Sequence, residues 1–211
     1  FKAWHDARLP HPTTVVPNMI HPVSPEQRAQ PGQSRTIIAA SRLSGAKRIH
    51  LLLEAWSVLR HAYPDWTLEI YGDGELRDDL EARARALDVP LSVFQGHTSN
   101  IGAIHKRAAI LAHPADQEGF CLAVGEALAA GVPAVGFREC PGVNTLIQND
   151  INGLLVPAGE NPAASLRSGL DRLMVDAELR MRLGKMGPQT MKAYSPSMVL
   201  DCWEEFLFGT S

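Results

Sequence analysis

The chain has 211 residues, of which 45% are hydrophobic and 20% are charged, and its formal net charge is -3 at pH 7. This length allows a sizeable core, and the composition excludes an intrinsically disordered protein. The slightly acidic balance also lacks the basic stripe of a nucleic-acid-binding protein, so nucleic acid is not an expected partner.

The first 34 residues contain six prolines and one short apolar piece, TTVVP at residues 13–17. Frequent proline removes backbone hydrogen-bond donors and is typical of extended connecting segments. Residues 1–34 are therefore predicted to form a linker with one brief strand that leads into the folded domain.

From residue 35 onwards, β-rich apolar runs alternate with polar loops and with segments of helical periodicity. The predicted strands are residues 36–41, 66–71, 91–95, 109–112, 133–137 and 154–156. The predicted helices are residues 48–63, 75–87, 101–107 and 122–130, a short turn at 143–148, residues 162–183 with a break near Asp176, and residues 196–208. The helix signal is strongest at residues 48–63, where Pro64 ends the pattern.

Strand–helix–strand units of this length predict an α/β protein with right-handed crossovers. Residues 35–195 are expected to form a Rossmann-like, doubly wound parallel sheet of about six strands with helices on both faces. Residues 196–211 would add a C-terminal helix. Ligands of such folds bind at the carboxyl ends of the strands, where the loops of this chain carry unusual polar residues, so one ligand site is predicted at that edge.

The stretch HPADQEGFCLAVGEALAAGVP, residues 113–133, combines a polar loop, a helix start, two glutamates and a helix stop. A helix that begins near Phe120 has free N–H groups that favour an anion such as phosphate. Because carboxylates repel phosphate, Glu118 and Glu126, with seven residues between them, are expected to face uncharged hydroxyls of the same ligand. Solvated glutamates on a surface helix are the alternative.

Arg42 and Lys47 lie in the loop between the first predicted strand and the first predicted helix. Two cations near helix N–H groups suit a diphosphate, and they could neutralise a nucleotide leaving group without a metal ion. The alternative is a pair of solvated surface cations. No metal site is predicted, because the histidines and cysteines follow no common ligand spacing.

Four more positions at the same edge are candidate contacts. Gly72 allows the backbone to approach a ligand closely, although a plain turn explains it equally well. Gly96 and His97 could line a base pocket through main-chain groups, and an ordinary loop is the alternative. Gly142 belongs to a second small helix start with free N–H groups.

Two residues of this region are given no chemical role. His113 is interpreted as a structural histidine at a strand end, and Cys121 has no evident base partner, so no Cys-His or Ser-His-Asp arrangement is predicted. The chain also lacks complete G-x-x-x-x-G-K-[ST] and G-x-G-x-x-G motifs, which disfavours kinases, P-loop proteins and ordinary dinucleotide-binding enzymes.

The order of these segments resembles the nucleotide-sugar-binding, C-terminal half of a GT-B glycosyltransferase of the large retaining family 4. The resemblance runs through nearly the whole chain, and its most specific part is the pair of glutamates with seven residues between them. The segments that carry it are VVPNMI, ASRLSGAKRIHLLLEAW, LEIYGDGELRDDLE, VFQGHT, HPADQEGFCLAVGEALAAGVPAV and NGLLVP.

The resemblance also implies a role for each site residue. Arg42 and Lys47 would hold the donor diphosphate, Glu118 would contact donor-sugar hydroxyls, and Glu126 would accept hydrogen bonds from the ribose hydroxyls. The main-chain groups that would meet the sugar and phosphate are those of Gly119, Phe120, Cys121 and Leu122.

The activity implied is that of a hexosyltransferase, which moves a sugar from a nucleoside diphosphate sugar to an acceptor with retention, in polysaccharide, lipopolysaccharide or glycolipid synthesis. The resemblance implies no cofactor and no required metal. The family's N-terminal, acceptor-binding domain is absent from these 211 residues, and the chain begins at Phe1, so we expect a piece of a longer protein that binds nucleotide without catalysing transfer.

The missing domain also bears on the C-terminal helix and on location. Val199, Trp203, Phe206 and Leu207 are expected to be partly exposed here, because the family's last helix packs back on that domain. Three widely spaced cysteines and the lack of a signal peptide or membrane span fit a cytoplasmic protein. The resemblance allows peripheral association with the inner face of the membrane through the missing domain.

Some residues depart from the family pattern. Arg48 replaces the usual glycine after the lysine, Cys121 replaces another usual glycine, and Asn144-Thr145 stands where many members have Pro-Glu. These departures leave the base and sugar of the donor open. A sugar-nucleotide epimerase on the same fold and a non-catalytic nucleotide-binding module are the alternative functions.

Overall fold

A computed structural model describes residues 14–209, and its centre is one six-stranded parallel sheet. The strands are β1 Thr36–Ala40, β2 Thr67–Tyr71, β3 Phe94–Gly96, β4 Ile110–His113, β5 Ala134–Phe137 and β6 Gly153–Val156. Their order across the sheet is β3-β2-β1-β4-β5-β6, and every neighbouring pair is parallel. All carboxyl ends therefore lie at one edge, and the chain reverses its direction across the sheet between β1 and β4.

Helices cover both faces of this sheet, which confirms the predicted doubly wound fold. They are α1 Ile49–Ala62, α2 Arg77–Ala86, α3 Ile101–Arg107, α4 Leu122–Ala129, α5 Pro141–Asn144, α6 Pro162–Val175, α7 Ala177–Thr190 and α8 Pro196–Phe208. Successive residues of β1 point to opposite faces. Ile37 packs in the core with α1 and α6, whereas Ile38 packs in the core with α4.

Two predicted boundaries are wrong for local reasons. The sequence pattern predicts the third strand at residues 91–95, but Leu91–Val93 forms a 3-10 turn and only Phe94–Gly96 pairs with β2. The short turn predicted at 143–148 is instead a helix that begins at Pro141, because a proline is well suited to the first helical position.

The predicted break near Asp176 separates two complete helices. The Asp176 carboxylate accepts a hydrogen bond of 2.8 Å from the N–H of Leu179 and so caps α7. Helix α7 then continues to Thr190, seven residues beyond the predicted end at residue 183, despite two glycines and Pro188. These glycines allow close packing: a Cβ at Gly184 would lie 2.4 Å from the carbonyl oxygen of Gly131, and one at Gly187 would lie 2.3 Å from that of Leu128.

The segment before the sheet packs on the domain without forming a strand. Residues 14–23 contain no helix or strand, so the brief strand predicted at 13–17 is wrong for its described part, and Thr13 lies outside the described residues. Ile20 is buried, and its N–H donates to the carbonyl of Tyr194 at 2.8 Å. The N–H of Ala29 likewise donates to the carbonyl of Ala130 at 2.8 Å.

Arg180 is a buried cation that fastens this leading segment to the helices. It is 3% exposed, and its guanidinium lies over the ring of Trp66 at 4.9 Å. It donates at 2.8 Å to the carbonyl of Pro31 and also to the carbonyls of Leu173 and Met174 at the end of α6. One side chain thus satisfies carbonyls from two separate parts of the chain.

The last helix leaves much of its apolar surface uncovered. Trp203, Phe206 and Leu207 are 43%, 55% and 61% exposed, as predicted. Val199 is an exception, because it is 1% exposed and holds the start of α8 against the domain. Across residues 14–209, none of the helices is both long enough and apolar enough to cross a membrane.

Because His105 on α3 is buried, we expect the protein to lose stability in acid. Burial lowers its pKa from 6.5 to about 4, so the folded protein keeps the imidazole neutral while the unfolded chain takes up a proton near pH 6.5. The stability from this group is present above pH 6.5 and is lost as pH falls, by about 3 kcal/mol at pH 4. Urea unfolding of wild type and His105→Leu between pH 7 and 4 should show the smaller pH dependence in the variant; parallel losses of stability would contradict it.

Candidate functional site

The loops after β1, β2 and β3 meet the start of α4 around one open cleft of about 450 Å³. Backbone hydrogen bonds join the loops: Ser41 N–H donates to Tyr71 at 3.0 Å, and Gly72 N–H donates to Gly96 at 2.8 Å. This arrangement confirms the predicted convergence at the carboxyl edge. The lining residues are Ala40, Ser41, Arg42, Tyr71, Gly72, Asp73, His97, Thr98, Ile101, Ala123 and Glu126.

A second open cavity, of about 420 Å³, lies at the same edge beside the loop after β4. Its lining residues are Asp116, Gln117, Glu118, Gly119 and Pro141. The two glutamates predicted to contact one ligand therefore line two different cavities. A further cavity of about 490 Å³, between residues 28–33 and α7, contains none of the predicted site residues and lies outside this site.

Glu118 is fixed by two hydrogen-bond donors. Its side chain is 14% exposed, and its Oε1 accepts from Lys47 Nζ and lies 2.8 Å from His113 Nε2. The N–H of Asp116 donates to the carbonyl of Ala46 at 3.2 Å, which holds the two loops together. Burial raises the pKa of Glu118, but the hydrogen bonds and charges of His113 and Lys47 outweigh it and lower the pKa to about 2. The carboxylate is therefore ionised and acts only as an acceptor.

His113 belongs to this cluster, although the sequence pattern predicts only a structural role for it. It is the last residue of β4, and its imidazole is buried beside the carboxylate of Glu118. The signal that identifies it is its position, since a polar residue that ends a central parallel strand lies at the ligand-binding edge. His113 contacts Glu118 from the end of β4, and Lys47 contacts it from the loop after β1.

Cys121 also lies beside His113, with Sγ 3.2 Å from Nε2, so the expectation that it lacks a neighbouring base is wrong. Burial, reinforced by the negative charge of Glu118, raises the pKa of this thiol to about 12. The thiol is therefore protonated at neutral pH, and a thiolate nucleophile is not supported.

Two predicted glycines are required by close approach of loops. Gly72 has φ of 124°, and a Cβ there would lie 1.9 Å from the carbonyl oxygen of Ser41. A Cβ at Gly142 would lie 2.6 Å from the carbonyl oxygen of Glu118, to which the Gly142 N–H donates at 3.1 Å. The prediction of a free N–H group at Gly142 is therefore wrong, because this group is engaged by the Glu118 loop. Gly96 and Gly119 have open space around the Cβ position, and Gly96 has φ of 73°.

The central helix begins where the helical pattern predicts. Helix α4 starts at Leu122, the first residue of the predicted helix 122–130, two residues after Phe120. The N–H of Cys121 donates to the carbonyl of Gly142 at 3.4 Å, so this group is engaged. The N–H groups of Leu122 and Ala123 have no backbone acceptor among the described residues, which leaves them free for an anion.

The two predicted diphosphate cations have different surroundings. Lys47 is half-buried beside Glu118, whereas the side chain of Arg42 is 73% exposed, lines the cleft and lies 3.3 Å from Glu75. Arg48, which follows Lys47, has φ of 50° and so adopts the left-handed conformation that favours glycine. Its guanidinium lies over Phe137 at 5.6 Å.

Glu126 projects from α4 into the cleft. Its side chain is exposed, but the surrounding cleft removes part of its hydration. This partial burial raises the pKa of the carboxyl, and the charge of His21 opposes the rise. A carboxylate in such a place gains from hydroxyl donors that replace lost water.

Sequence reasoning missed two more residues of the cleft. The hydroxyl oxygen of Ser41 is buried and has no hydrogen-bond partner among residues 14–209, so a ligand could satisfy it. The hydroxyl of Tyr71 donates to Glu69 at 2.8 Å and accepts from Arg107, which fixes the ring as part of the cleft wall.

Comparison with known proteins identifies the family. The profile described as glycosyl transferases group 1 matches residues 22–190. The chain belongs to this family. It is 30% identical over 208 residues to an uncharacterized glycosyltransferase of Haemophilus influenzae, an alignment that covers 98% of this chain and 56% of the relative. The chain therefore spans about half the length of that glycosyltransferase.

Solved structures agree with this family's fold. S. aureus TarM, solved as a mutant with UDP among its ligands, has a TM-score of 0.84 at 18% identity, covering 96% of this chain and 41% of TarM. The pneumococcal O-GlcNAc transferase GtfA in complex with UDP and GlcNAc has a TM-score of 0.80 at 22% identity, covering 97% of this chain and 42% of GtfA. At these identities the likeness supports the GT-B-type Rossmann-like fold of this glycosyltransferase domain.

Proposed function

We propose that this glycosyltransferase chain is the donor-binding half of an enzyme that transfers a hexose from a nucleoside diphosphate sugar with retention. The observation that carries the proposal is the ionised Glu118, held by Lys47 and His113 beside free N–H groups at the start of α4. An acceptor-only carboxylate suits sugar hydroxyls, and the adjacent cation and N–H groups suit phosphate.

The two cavities divide the ligand between them. In the Glu118 cavity, the carboxylate would accept from donor-sugar hydroxyls, and main-chain groups near Gly119 would contact the sugar and phosphate. In the cleft, Glu126 would accept from ribose hydroxyls, while Gly96 and His97 would line the base pocket. Free N–H groups of Leu122 and Ala123 lie at the start of the helix that carries Glu126, where they would meet the diphosphate.

Leaving-group stabilisation would come from protein cations. Lys47, Arg42 and the start of α4 supply positive charge where the nucleoside diphosphate departs, so no metal ion and no cofactor is required. The positive charge of Lys47 is in place before the reaction, because the Glu118 carboxylate holds the Lys47 ammonium in the site.

Acceptor binding would belong to a further domain of a longer protein. We infer that residues 35–195 form the donor domain, that residues 1–34 lead into it, and that α8 packs on the acceptor domain through Trp203, Phe206 and Leu207. The whole enzyme would act in the cytoplasm, at the inner face of the membrane, in polysaccharide, lipopolysaccharide or glycolipid synthesis. The 211-residue chain alone would bind donor without transferring it.

Calorimetric titration of the chain with UDP-, GDP- and ADP-sugars tests this proposal. UDP-sugars come first because the TarM and GtfA structures contain UDP. We expect one of the three nucleotide classes to bind with one-to-one stoichiometry in magnesium-free buffer containing a chelator. Folded protein that binds none of them would overturn the proposal, and binding that requires an added metal would overturn its metal-independent part.

A further inference from the structure

Three side chains at the floor of the site place a nitrogen, an oxygen and a sulfur atom together. His113 Nε2, Glu118 Oε1 and Cys121 Sγ all lie within 4.8 Å of one another. Nε2 is 2.8 Å from Oε1 and 3.2 Å from Sγ. Imidazole, carboxylate and thiolate together are a ligand set that zinc accepts.

We propose that His113, Glu118 and Cys121 form an inhibitory Zn²⁺ site whose occupation excludes the nucleotide donor. This goes beyond the proposed function, in which no metal takes part. Zinc bonds of about 2.0 Å to nitrogen and oxygen and about 2.3 Å to sulfur place tetrahedral ligands about 3.3–3.6 Å apart. The Nε2–Oε1 and Nε2–Sγ distances, 2.8 and 3.2 Å, are shorter than this spacing by up to about half an ångström, so these two contacts would lengthen slightly as the three atoms take up corners of the tetrahedron.

The surroundings of the cluster suit a three-ligand site with one open position. His113 and Cys121 are each 2% exposed, so the protein fixes their side chains. Glu118 lines the open 420 Å³ cavity, which gives an ion access and leaves room for a water molecule as the fourth ligand. On binding, the Cys121 thiol would lose its proton to solvent as the zinc–sulfur bond forms, while His113 would bind as neutral imidazole.

Lys47 makes zinc and donor mutually exclusive. Its ammonium contacts Glu118 Oε1, the same atom that the ion would use. A divalent cation and an ammonium repel each other at this distance, so bound zinc would drive Lys47 from its place. The donor would then lose the Glu118 carboxylate as a hydroxyl acceptor and Lys47 as a phosphate partner together.

The test is a zinc titration against a chromophoric chelator, with Cys202→Ala as background to remove the exposed thiol. We expect one tight equivalent of Zn²⁺. Adding Cys121→Ala should weaken zinc binding by more than about tenfold. Loss of a residue that only hydrogen-bonds to a metal ligand already weakens metal binding by about 10–100-fold. Adding Lys47→Ala should tighten zinc by about tenfold, because a repelling cation is removed. Unchanged zinc affinity in either variant would overturn the proposal.

Cobalt(II) gives a second readout that does not depend on donor binding. Cys202→Ala protein loaded with Co²⁺ should show the near-ultraviolet absorption of a cobalt–thiolate bond, and Cys140→Ala in that background should retain it. A missing band, or a band lost with Cys140 instead, would overturn the site. Because these titrations contain no nucleotide, their failure is distinguishable from failure of the proposed function. Exclusion of the donor is tested by calorimetric titration of the zinc-loaded protein with the preferred nucleotide sugar, and an unchanged donor affinity would overturn it.

Discussion

Lys47→Ala is expected to weaken binding of the preferred nucleoside diphosphate sugar by about 10- to 150-fold, the effect of losing a charged hydrogen bond worth about 1.5–3 kcal/mol. The loss has two parts. The diphosphate loses a half-buried cation, and the ionised Glu118 carboxylate loses the partner that offsets its repulsion of phosphate. Calorimetric titration of wild type and variant with the same donor measures the change.

Lys185→Ala is the matched control, because Lys185 is an exposed lysine on α7 that lines only the separate cavity. Its donor affinity should equal that of wild type. Equal affinities for all three proteins would show that Lys47 does not contact the diphosphate, and the assigned direction of the donor in the site would be wrong.

Arg180→Ala is expected to cause the largest loss of stability, about 3–5 kcal/mol. The substitution leaves the carbonyls of Pro31, Leu173 and Met174 without their donor and opens a gap against Trp66. Urea unfolding at pH 7 measures the free energy of unfolding. Arg180→Lys should recover only part of the loss, since one ammonium cannot reproduce the planar fork of donors.

The nearby Arg182 provides the comparison for this effect. It is exposed on the same helix and donates to the carbonyl of Asp150 at 3.0 Å. Arg182→Ala should cost no more than about 1 kcal/mol, because water can replace an exposed donor. A loss for Arg180→Ala no greater than that for Arg182→Ala would mean that the buried guanidinium does not fasten the leading segment.

Local patterns were sufficient to predict most of the sheet and its helices. The apolar runs of β1 and β2 and the helical period of residues 48–63 are strong signals that tertiary contacts did not override. The end of α7 could not be predicted, because Gly184 and Gly187 look like helix-ending residues until the backbone of Gly131 and Leu128 is packed against them. Arg180 could not be predicted either, since its carbonyl partners in residues 31 and 32 are distant in sequence.

The sequence was sufficient to predict which loops form the site, but not which side chains contact one another within it. Parallel strand ends determined that the polar loops would meet, and the cleft confirms it. The pairing of Lys47 with Glu118 depends on a loop-to-loop distance that spacing does not contain. The contacts of His113 could not be predicted, because a histidine followed by proline has an ordinary structural interpretation and only the fold places it beside Glu118 and Cys121.

The most direct measurement is a backbone amide chemical-shift titration of the ¹⁵N-labelled chain with the nucleotide sugar that binds most tightly. The largest changes should fall in residues 41–47, 72–74, 96–98 and 118–126, which form the joined loops and the start of α4. Changes centred on residues 28–33 and α7, around the separate cavity, or none at saturating donor, would contradict a donor site at the carboxyl edge of the sheet.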